Sequence, residues 1–98
     1  MDEIIHQPVR LKVMAALNVL GPGETIDFPK LKSIVAATDG NLGAHISTLE
    51  KAGYVTVEKD FVGRKPRTHV RMTRSGRRAF AEHVARLREI LESGLDRT

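Results

Sequence analysis

The stretch TDGNLGAHISTLEKAGYV, residues 38–55, has the pattern of a capped helix followed directly by the start of a β-strand. Thr38 carries a side-chain oxygen that can accept a hydrogen bond from the free amides of a first helical turn. Gly53 supplies the left-handed conformation that commonly ends a helix. Three apolar residues recur at helical spacing on one face: Leu42, Ile46 and Leu49. The stretch therefore predicts a helix over about residues 40–52 that buries one face.

The opposite face of this predicted helix is small and polar. Such a helix fits the second helix of a helix-turn-helix pair, which lies in the major groove of DNA because that groove is about 12 Å wide. The residues that we expect to contact bases or phosphates are Thr38, Asn41, Ala44, His45, Thr48 and Lys51. Two of them have a structural alternative. Asn41 can simply shape the turn, and His45 lies beside the buried face, where a half-buried, hydrogen-bonded histidine is equally expected.

The residues before this stretch predict two more helices and a short strand. Pro8 suits the first turn of a helix and a Gly-Pro-Gly run ends it, so the first helix is expected over about residues 8–20. Residues 25–27 are β-prone, and a second helix is expected over about residues 29–36. The helix-turn-helix pair then spans about residues 29–53.

The segment after Gly53 predicts a β-hairpin with a basic tip. Residues 54–60 and 68–72 alternate apolar and polar side chains, and the Gly and Pro between them favour a turn. We expect this wing, over about residues 54–72, to present cations to phosphates or to a minor groove, where negative potential is concentrated. The cations of the tip are Arg64, Lys65 and Arg67. A solvated basic face is the alternative.

The last predicted helix, over about residues 74–93, has an apolar seam at the spacing with which two helices pair. The seam and two apolar residues near the amino end are expected to form a two-fold dimer interface: Ile4, Ile5, Phe80, Val84, Leu87, Ile90 and Leu91. The alternative is that this helix packs only within its own chain. Arg74 and Arg77 begin the helix, where the dipole disfavours cations, so we expect them to meet DNA phosphates or, alternatively, acidic neighbours.

These elements predict an α+β, mainly α fold. It is a winged helix-turn-helix with a three-helix core, a two-stranded β wing with a short third strand, and a long C-terminal dimerisation helix. The chain of 98 residues is expected to form a single domain, 1–98, because it is too short for a binding domain plus a separate sensor domain.

The composition favours a nucleic-acid partner. The net charge is +4, and cations concentrate between Lys59 and Arg78 with only Asp60 opposing them, a distribution that attracts a polyanion. Cysteine is absent, which excludes disulfides and thiolate chemistry. No apolar run reaches the roughly 20 residues of a membrane span, so we expect a soluble, cytoplasmic protein without membrane contact. We predict no catalytic residues, no metal site and no cofactor, because the histidines are scattered and the acids of the last helix suit surface ion pairs.

Three stretches of the chain resemble the small MarR/ArsR-like winged-helix regulators. Residues 38–55 are similar to their recognition helix and strand entry, residues 61–68 to their wing, and residues 72–80 to the junction with their last helix. The resemblance covers nearly the whole chain and implies a dimer that binds operator DNA, usually to repress transcription. Gly43 stands where the family often has Ser or Thr, which removes one hydroxyl from the surface that would face phosphates.

The sequence therefore predicts a sequence-specific DNA-binding transcriptional regulator, expected to be a dimeric repressor. Its recognition helix lies in the major groove of double-stranded DNA, and its basic wing lies on phosphates or in the minor groove. The alternative is a winged-helix protein-interaction scaffold without specific DNA binding, against which the basic wing argues. The sequence does not indicate an operator, and it leaves three possibilities open for regulation: a small apolar ligand at the dimer interface, a protein partner, or no effector at all.

Overall fold

A computed structural model describes residues 2–96. The helices are α1 (Glu3–His6), α2 (Pro8–Asn18), α3 (Phe28–Val35), α4 (Asp39–Lys51) and α5 (Arg74–Asp96). The strands are β1 (Ile26–Asp27), β2 (Val55–Val62) and β3 (Lys65–Met72), and they form one antiparallel sheet in the order β1-β3-β2. This architecture confirms the expected winged helix fold. None of the helices in the described range is long and apolar enough to cross a membrane.

One apolar core holds the helices against a single face of the sheet. α2 lies at its centre and contacts α1, α3, α4, α5 and β3. The buried apolar side chains are those of Ile5, Val13, Met14, Leu17, Ile26, Leu31, Val35, Leu42, Ile46, Leu49, Val55, Val70, Met72 and Phe80. Because α4 contributes three of these side chains from one face, its opposite face is left toward solvent.

A tight turn joins α3 to α4. Ala36 adopts the left-handed conformation, with φ of 55°, and ends α3. Thr38 then caps α4, because its Oγ1 accepts a hydrogen bond from the Asn41 amide at 3.2 Å. Lys32 Nζ lies 3.0 Å from Asp39 Oδ1 and links the two helices across the turn. The structure confirms Thr38 as the cap, and α4 begins at Asp39.

The turn of the β-hairpin is shorter than expected. Lys65 already pairs with β2, so only Gly63 and Arg64 lie outside the strands. Gly63 has φ of 63°, a conformation that glycine adopts without strain and that two-residue hairpin turns require. The expectation that the loop extends as far as Arg67 is therefore wrong. Because β1 is only two residues long, the outer half of β3 keeps one free edge, where Pro66 is tolerated.

A short helix that the sequence did not predict, α1, folds back onto the domain. Asp2 caps it by accepting hydrogen bonds from the Ile4 and Ile5 amides at 2.9 and 3.1 Å. The second carboxylate oxygen of Asp2 accepts from the Tyr54 hydroxyl at 2.6 Å, and this bond raises the pKa of Tyr54 to about 12. Ile5 is fully buried and Ile4 packs partly against the core. The expectation that Ile5 contacts a partner is therefore wrong, because the core of its own chain already covers it.

Helix α5 packs on its own domain along its first half and projects from it along its second half. Phe80 is buried in the core, and Val84 packs partly against it. Leu87 is half-buried, whereas Ile90 and Leu91 are 55% and 66% exposed. The sequence-based interpretation of Phe80 as a partner contact is thus corrected, because its own chain buries it. The outer half of α5 remains available to a partner.

His83 of α5 is buried without a hydrogen bond to either ring nitrogen from the described part of the chain. Its ring meets the ring of His6 edge to face, with the centroids 5.5 Å apart. Burial lowers the pKa of His83, and the nearby His6 lowers it further while Asp2 opposes the shift. The folded protein therefore accommodates the neutral form of this histidine.

We expect acid to destabilise the fold through His83. An unfolded chain binds a proton on histidine near pH 6.5, whereas the buried ring binds it only at lower pH. The unfolded state therefore takes up the proton first, and the free energy of unfolding falls as the pH decreases below about 6.5. Urea denaturation between pH 7 and pH 5 should show a weaker pH dependence in His83→Leu than in the wild type. Equal pH dependence in the two proteins would show that His83 is not the group responsible.

Candidate nucleic-acid interface

The exposed face of α4 brings together most of the side chains expected to contact DNA. The apolar face of this helix packs against α2 and β2. On the opposite side Asn41, Ala44 and Lys51 are exposed and Thr48 is half exposed. Because these side chains other than Lys51 are short, a partner can approach the helix backbone closely.

Both threonine hydroxyls on this face already have a partner, whereas the side-chain amide of Asn41 has none among residues 2–96. Thr38 caps the helix, and Thr48 Oγ1 donates to the Ala44 carbonyl at 3.2 Å. Thr48 keeps its acceptor lone pairs, so it can still accept from a base amino group. The side chain of Asn41 makes no hydrogen bond to any residue between 2 and 96, since Thr38 supplies the cap. Asn41 therefore keeps both a donor and an acceptor for a ligand.

His45 lies at the edge of α4 and is tied to the protein interior. Its Nδ1 is 3.2 Å from Nη1 of Arg10, and Nε of Arg10 donates to the Ile4 carbonyl. Burial, followed by the charge of Arg10, lowers the pKa of His45, so the neutral ring accepts this bond. Arg10 thereby joins α1, α2 and α4. Of the two roles expected for His45, the half-buried, hydrogen-bonded one is the role that the structure describes.

A groove of about 310 Å³ separates α4 from the β-hairpin. It is lined by Phe28, Gly43, Ile46, Ser47, Glu50, Val57, Lys59 and Thr68. Side chains two apart in a strand share a face, so one face of the hairpin borders this groove. We call it the α4 side; by alternation and pairing it comprises Val55, Val57, Lys59, Phe61, Pro66, Thr68, Val70 and Met72. On α4 the groove is lined by a flank that also contains an acid, namely Gly43, Ile46, Ser47 and Glu50. Ala44 and Lys51 of the exposed face lie one helical turn from Ser47 and so border this flank.

The opposite face of the hairpin, which we call the far side, carries a network of ion pairs. Its residues are Thr56, Glu58, Asp60, Val62, Lys65, Arg67, His69 and Arg71. Asp60 Oδ1 lies 2.9 Å from His69 Nε2 and 3.4 Å from Arg67 Nε, and the hydrogen bonds from these two groups lower the pKa of Asp60. Glu58 Oε1 lies 3.1 Å from Arg71 Nη2. The positive charge of the far side is thus partly neutralised.

The cations of the wing are distributed differently from the sequence-based expectation. Strand alternation places Lys65 and Arg67 on the far side instead of beside α4, and Arg67 is paired with Asp60. Arg64 is exposed in the turn. Lys59, which sequence reasoning counted only toward the overall charge, is exposed on the α4 side and has no ion-pair partner in the described range. Alternation along β2 from the buried Val55 places Lys59 on the α4 side whatever the length of the turn, so this signal was present in the sequence.

The two arginines expected to act at the start of α5 also lie away from α4. Arg77 donates from Nη2 to the Leu20 carbonyl at 3.1 Å and from Nη1 to the Asn18 carbonyl at 3.3 Å. It therefore satisfies the carbonyl end of α2, where a cation is favourable, instead of pairing with an acid. Arg74 is exposed and, with Arg77, borders a cleft against Thr56 on the far side.

The fold and this surface define a winged helix protein. Residues 9–91 match the winged helix DNA-binding domain family, and the chain belongs to that family. It is 34% identical over 82 residues to an uncharacterised protein of Methanocaldococcus jannaschii, a match that covers 84% of this chain and 86% of the relative.

Two solved structures share the fold over nearly the whole chain. One is a transcriptional regulator homologue from Pyrococcus horikoshii, with a TM-score of 0.84, 30% identity, and coverage of 97% of this chain and 90% of the other. The second is a PadR family transcriptional regulator from Eggerthella lenta, with a TM-score of 0.71, 25% identity, and coverage of 96% and 86%. The MarR/ArsR subgroup indicated by the motifs is not confirmed, because a PadR-like protein fits instead.

Proposed function

We propose that this protein is a sequence-specific DNA-binding transcriptional regulator of the PadR-like kind, with residues 1–98 as one DNA-binding domain and a homodimeric repressor as the active form. One observation carries the proposal: α4 and the α4 side of the hairpin border one groove, and Ala44 and Lys51 of the exposed face lie one helical turn from Ser47, which lines it. Membership of the winged helix DNA-binding domain family and the likeness to transcriptional regulators support a regulatory role and not a catalytic one.

The exposed face of α4 lies in the major groove in this proposal. Asn41 has the donor and acceptor that pair with the edge of adenine. Thr48 offers an acceptor, and Ala44 is small enough to contact a thymine methyl group. Lys51, at the last turn of α4, reaches a phosphate or a guanine edge.

The hairpin supplies the contacts that position the duplex. Lys59 on the α4 side and Arg64 in the turn contact phosphates in this proposal, since both are exposed and neither has an ion-pair partner among the described residues. The remaining predicted residues have indirect roles. Lys65, Arg67 and Arg74 raise the positive potential around the site, while Thr38, His45 and Arg77 hold the backbone of the helices in place.

Dimerisation through the outer half of α5 completes the proposal. Leu87, Ile90 and Leu91 extend the seam beyond the part of α5 that its own domain covers. Two copies paired along this helix bury these side chains and relate two α4 helices by a two-fold axis. The dimer then reads two half-sites about 34 Å apart, one turn of DNA. A repressor of this form acts by occupying its operator.

We expect Leu91→Glu to convert the dimer to a monomer, because a carboxylate cannot be buried unpaired in an apolar seam. Ala85→Glu is the matched control, since Ala85 is exposed on α5 and lies off the seam. Sedimentation equilibrium should show a dimer for the wild type and the control, and a monomer for Leu91→Glu. A dimer that survives Leu91→Glu would place the dimer interface elsewhere. A monomeric wild type would contradict the proposed dimer itself.

The proposed function is tested by titrating the dimer against genomic duplex fragments selected for binding, over a range of salt concentrations. A regulator should bind specific fragments more tightly than random duplex by at least about 10³-fold. The logarithm of its affinity should fall linearly with the logarithm of the salt concentration. Absent or salt-insensitive binding would instead favour a protein-interaction scaffold.

A further inference from the structure

The tip of the hairpin exposes apolar side chains. In the described part of the chain the exposed large apolar residues are Val19, Ile34, Phe61, Val62, Ile90 and Leu91. Phe61 is the aromatic residue among them, and 71% of its surface is exposed. An exposed phenylalanine near the end of β2 gains free energy when a partner removes it from water.

The strand register places Phe61 on the α4 side. Phe61 pairs with Pro66 across the hairpin, and two residues nearer the domain Lys59 pairs with Thr68. Lys59 and Thr68 both line the groove beside α4. Phe61 and Pro66 therefore form an apolar end to the same face, about 7 Å further along the strand than Lys59. Val62 alternates to the far side.

Charge is segregated between the two faces of the hairpin. The acids Glu58 and Asp60 lie on the far side, where cations pair with them. The α4 side of β2 and β3 carries Lys59 and no acid, and Arg64 is exposed in the adjoining turn. An apolar ring flanked by unpaired cations suits a ligand that is both anionic and partly apolar. Duplex DNA has these properties, because its minor groove is walled by phosphates and by the apolar faces of deoxyribose.

We propose that Phe61, backed by Pro66, inserts into the minor groove next to the major-groove site of α4 and packs against deoxyribose and the edges of the bases. The proposal rests on the DNA-binding function proposed above and adds a contact to it that carries no charge. Apolar side chains that enter the minor groove favour base steps that open or bend easily. Phe61 thereby contributes to sequence preference at positions that α4 does not reach.

The test compares three exposed substitutions in binding titrations on one selected duplex at several salt concentrations. Phe61→Ala should weaken binding about tenfold at every salt concentration, as expected for partial burial of one aromatic side chain. Its salt slope should equal that of the wild type, because no phosphate contact is lost. Lys59→Ala should reduce the slope by about one counterion. Val62→Ala, on the far side, should bind like the wild type.

Competition with netropsin, a minor-groove ligand, supplies the second measurement. Each protein is held at the same multiple of its own dissociation constant. Under that condition netropsin should displace the wild type at a lower concentration than it displaces Phe61→Ala. The proposal would be overturned if Phe61→Ala bound DNA with wild-type affinity or lost no more affinity than Val62→Ala. It would also be overturned if Phe61→Ala changed the dimer dissociation constant. Failure of the wild type to bind any duplex would instead refute the proposed function itself, so the two failures are distinguishable.

Discussion

Replacing Gly76 with alanine should destabilise the domain by more than about 3 kcal/mol, because the new methyl group has no room. A Cβ built on Gly76 lies 2.1 Å from the Tyr54 carbonyl oxygen and 2.8 Å from its carbon, and both are backbone atoms that cannot rotate away. The same junction is held by Thr73, whose Oγ1 donates to the Gly53 carbonyl at 2.6 Å and accepts from the Gly76 amide at 2.9 Å. The start of α5 must therefore move away from β2. Thermal and urea denaturation followed by circular dichroism measure the loss.

Gly43→Ala is the matched control for this prediction. Gly43 lies inside α4, and a Cβ there meets no atom within 4 Å. Alanine should therefore stabilise the fold by up to about 1 kcal/mol through its higher helix propensity. If Gly76→Ala were as stable as Gly43→Ala, this result would contradict the close approach of α5 to the Tyr54 backbone.

The second large effect is expected on DNA affinity, from Ala44→Glu. Ala44 is exposed at the middle of the α4 face, so the substitution leaves the core intact. It places a carboxylate where phosphates and base acceptors are proposed to lie, and like-charge contacts of this kind cost several kcal/mol. We expect a loss of affinity on the order of 100-fold, which corresponds to about 2.8 kcal/mol. Titration of the selected duplex at constant salt measures this loss.

Ala15→Glu controls for the change in net charge. Ala15 is exposed on α2, outside the proposed interface, and the substitution adds the same single negative charge. Its affinity should fall by less than about threefold, through long-range electrostatics alone. Equal losses in the two variants would mean that the α4 face makes no close contact with DNA.

Local patterns in the sequence predicted most of the architecture. The spacing of Leu42, Ile46 and Leu49, the cap at Thr38 and the stop at Gly53 determine α4, and the structure has each of them. These features are readable because they depend on neighbours within one or two turns. The buried face, and with it the exposed face of α4, follows from the same spacing.

The sequence did not reveal which face of the hairpin each cation occupies. That assignment depends on the turn length, since a shift of one residue moves every side chain to the opposite face. Gly63 and Pro66 were both compatible with a longer loop, so the faces of Lys65 and Arg67 on β3 could not be assigned. The roles of Arg77 and His45 were hidden for a different reason. Their partners, at Leu20 and Arg10, are remote in sequence and meet only in the folded chain.

The same limit explains α1 and the dimer residues. Four residues are too few to show helical periodicity, and α1 exists because Asp2 caps it and Ile5 fills the core. The apolar seam of α5 is continuous in sequence, yet the domain covers only its first half. Periodicity reports that a face is apolar and does not report which neighbour covers it.

Bound DNA, in the proposed complex, lies across the exposed face of α4 and the α4 side of the hairpin together. Because the chain contains no cysteine, a single cysteine placed at Ala44, Lys59 or Arg67 is the only thiol to react with an alkylating reagent. Saturating duplex should slow alkylation strongly in Ala44→Cys and Lys59→Cys and only weakly in Arg67→Cys, which lies on the far side. Protection of Arg67→Cys equal to that of Lys59→Cys, or no protection of Ala44→Cys, would contradict this arrangement.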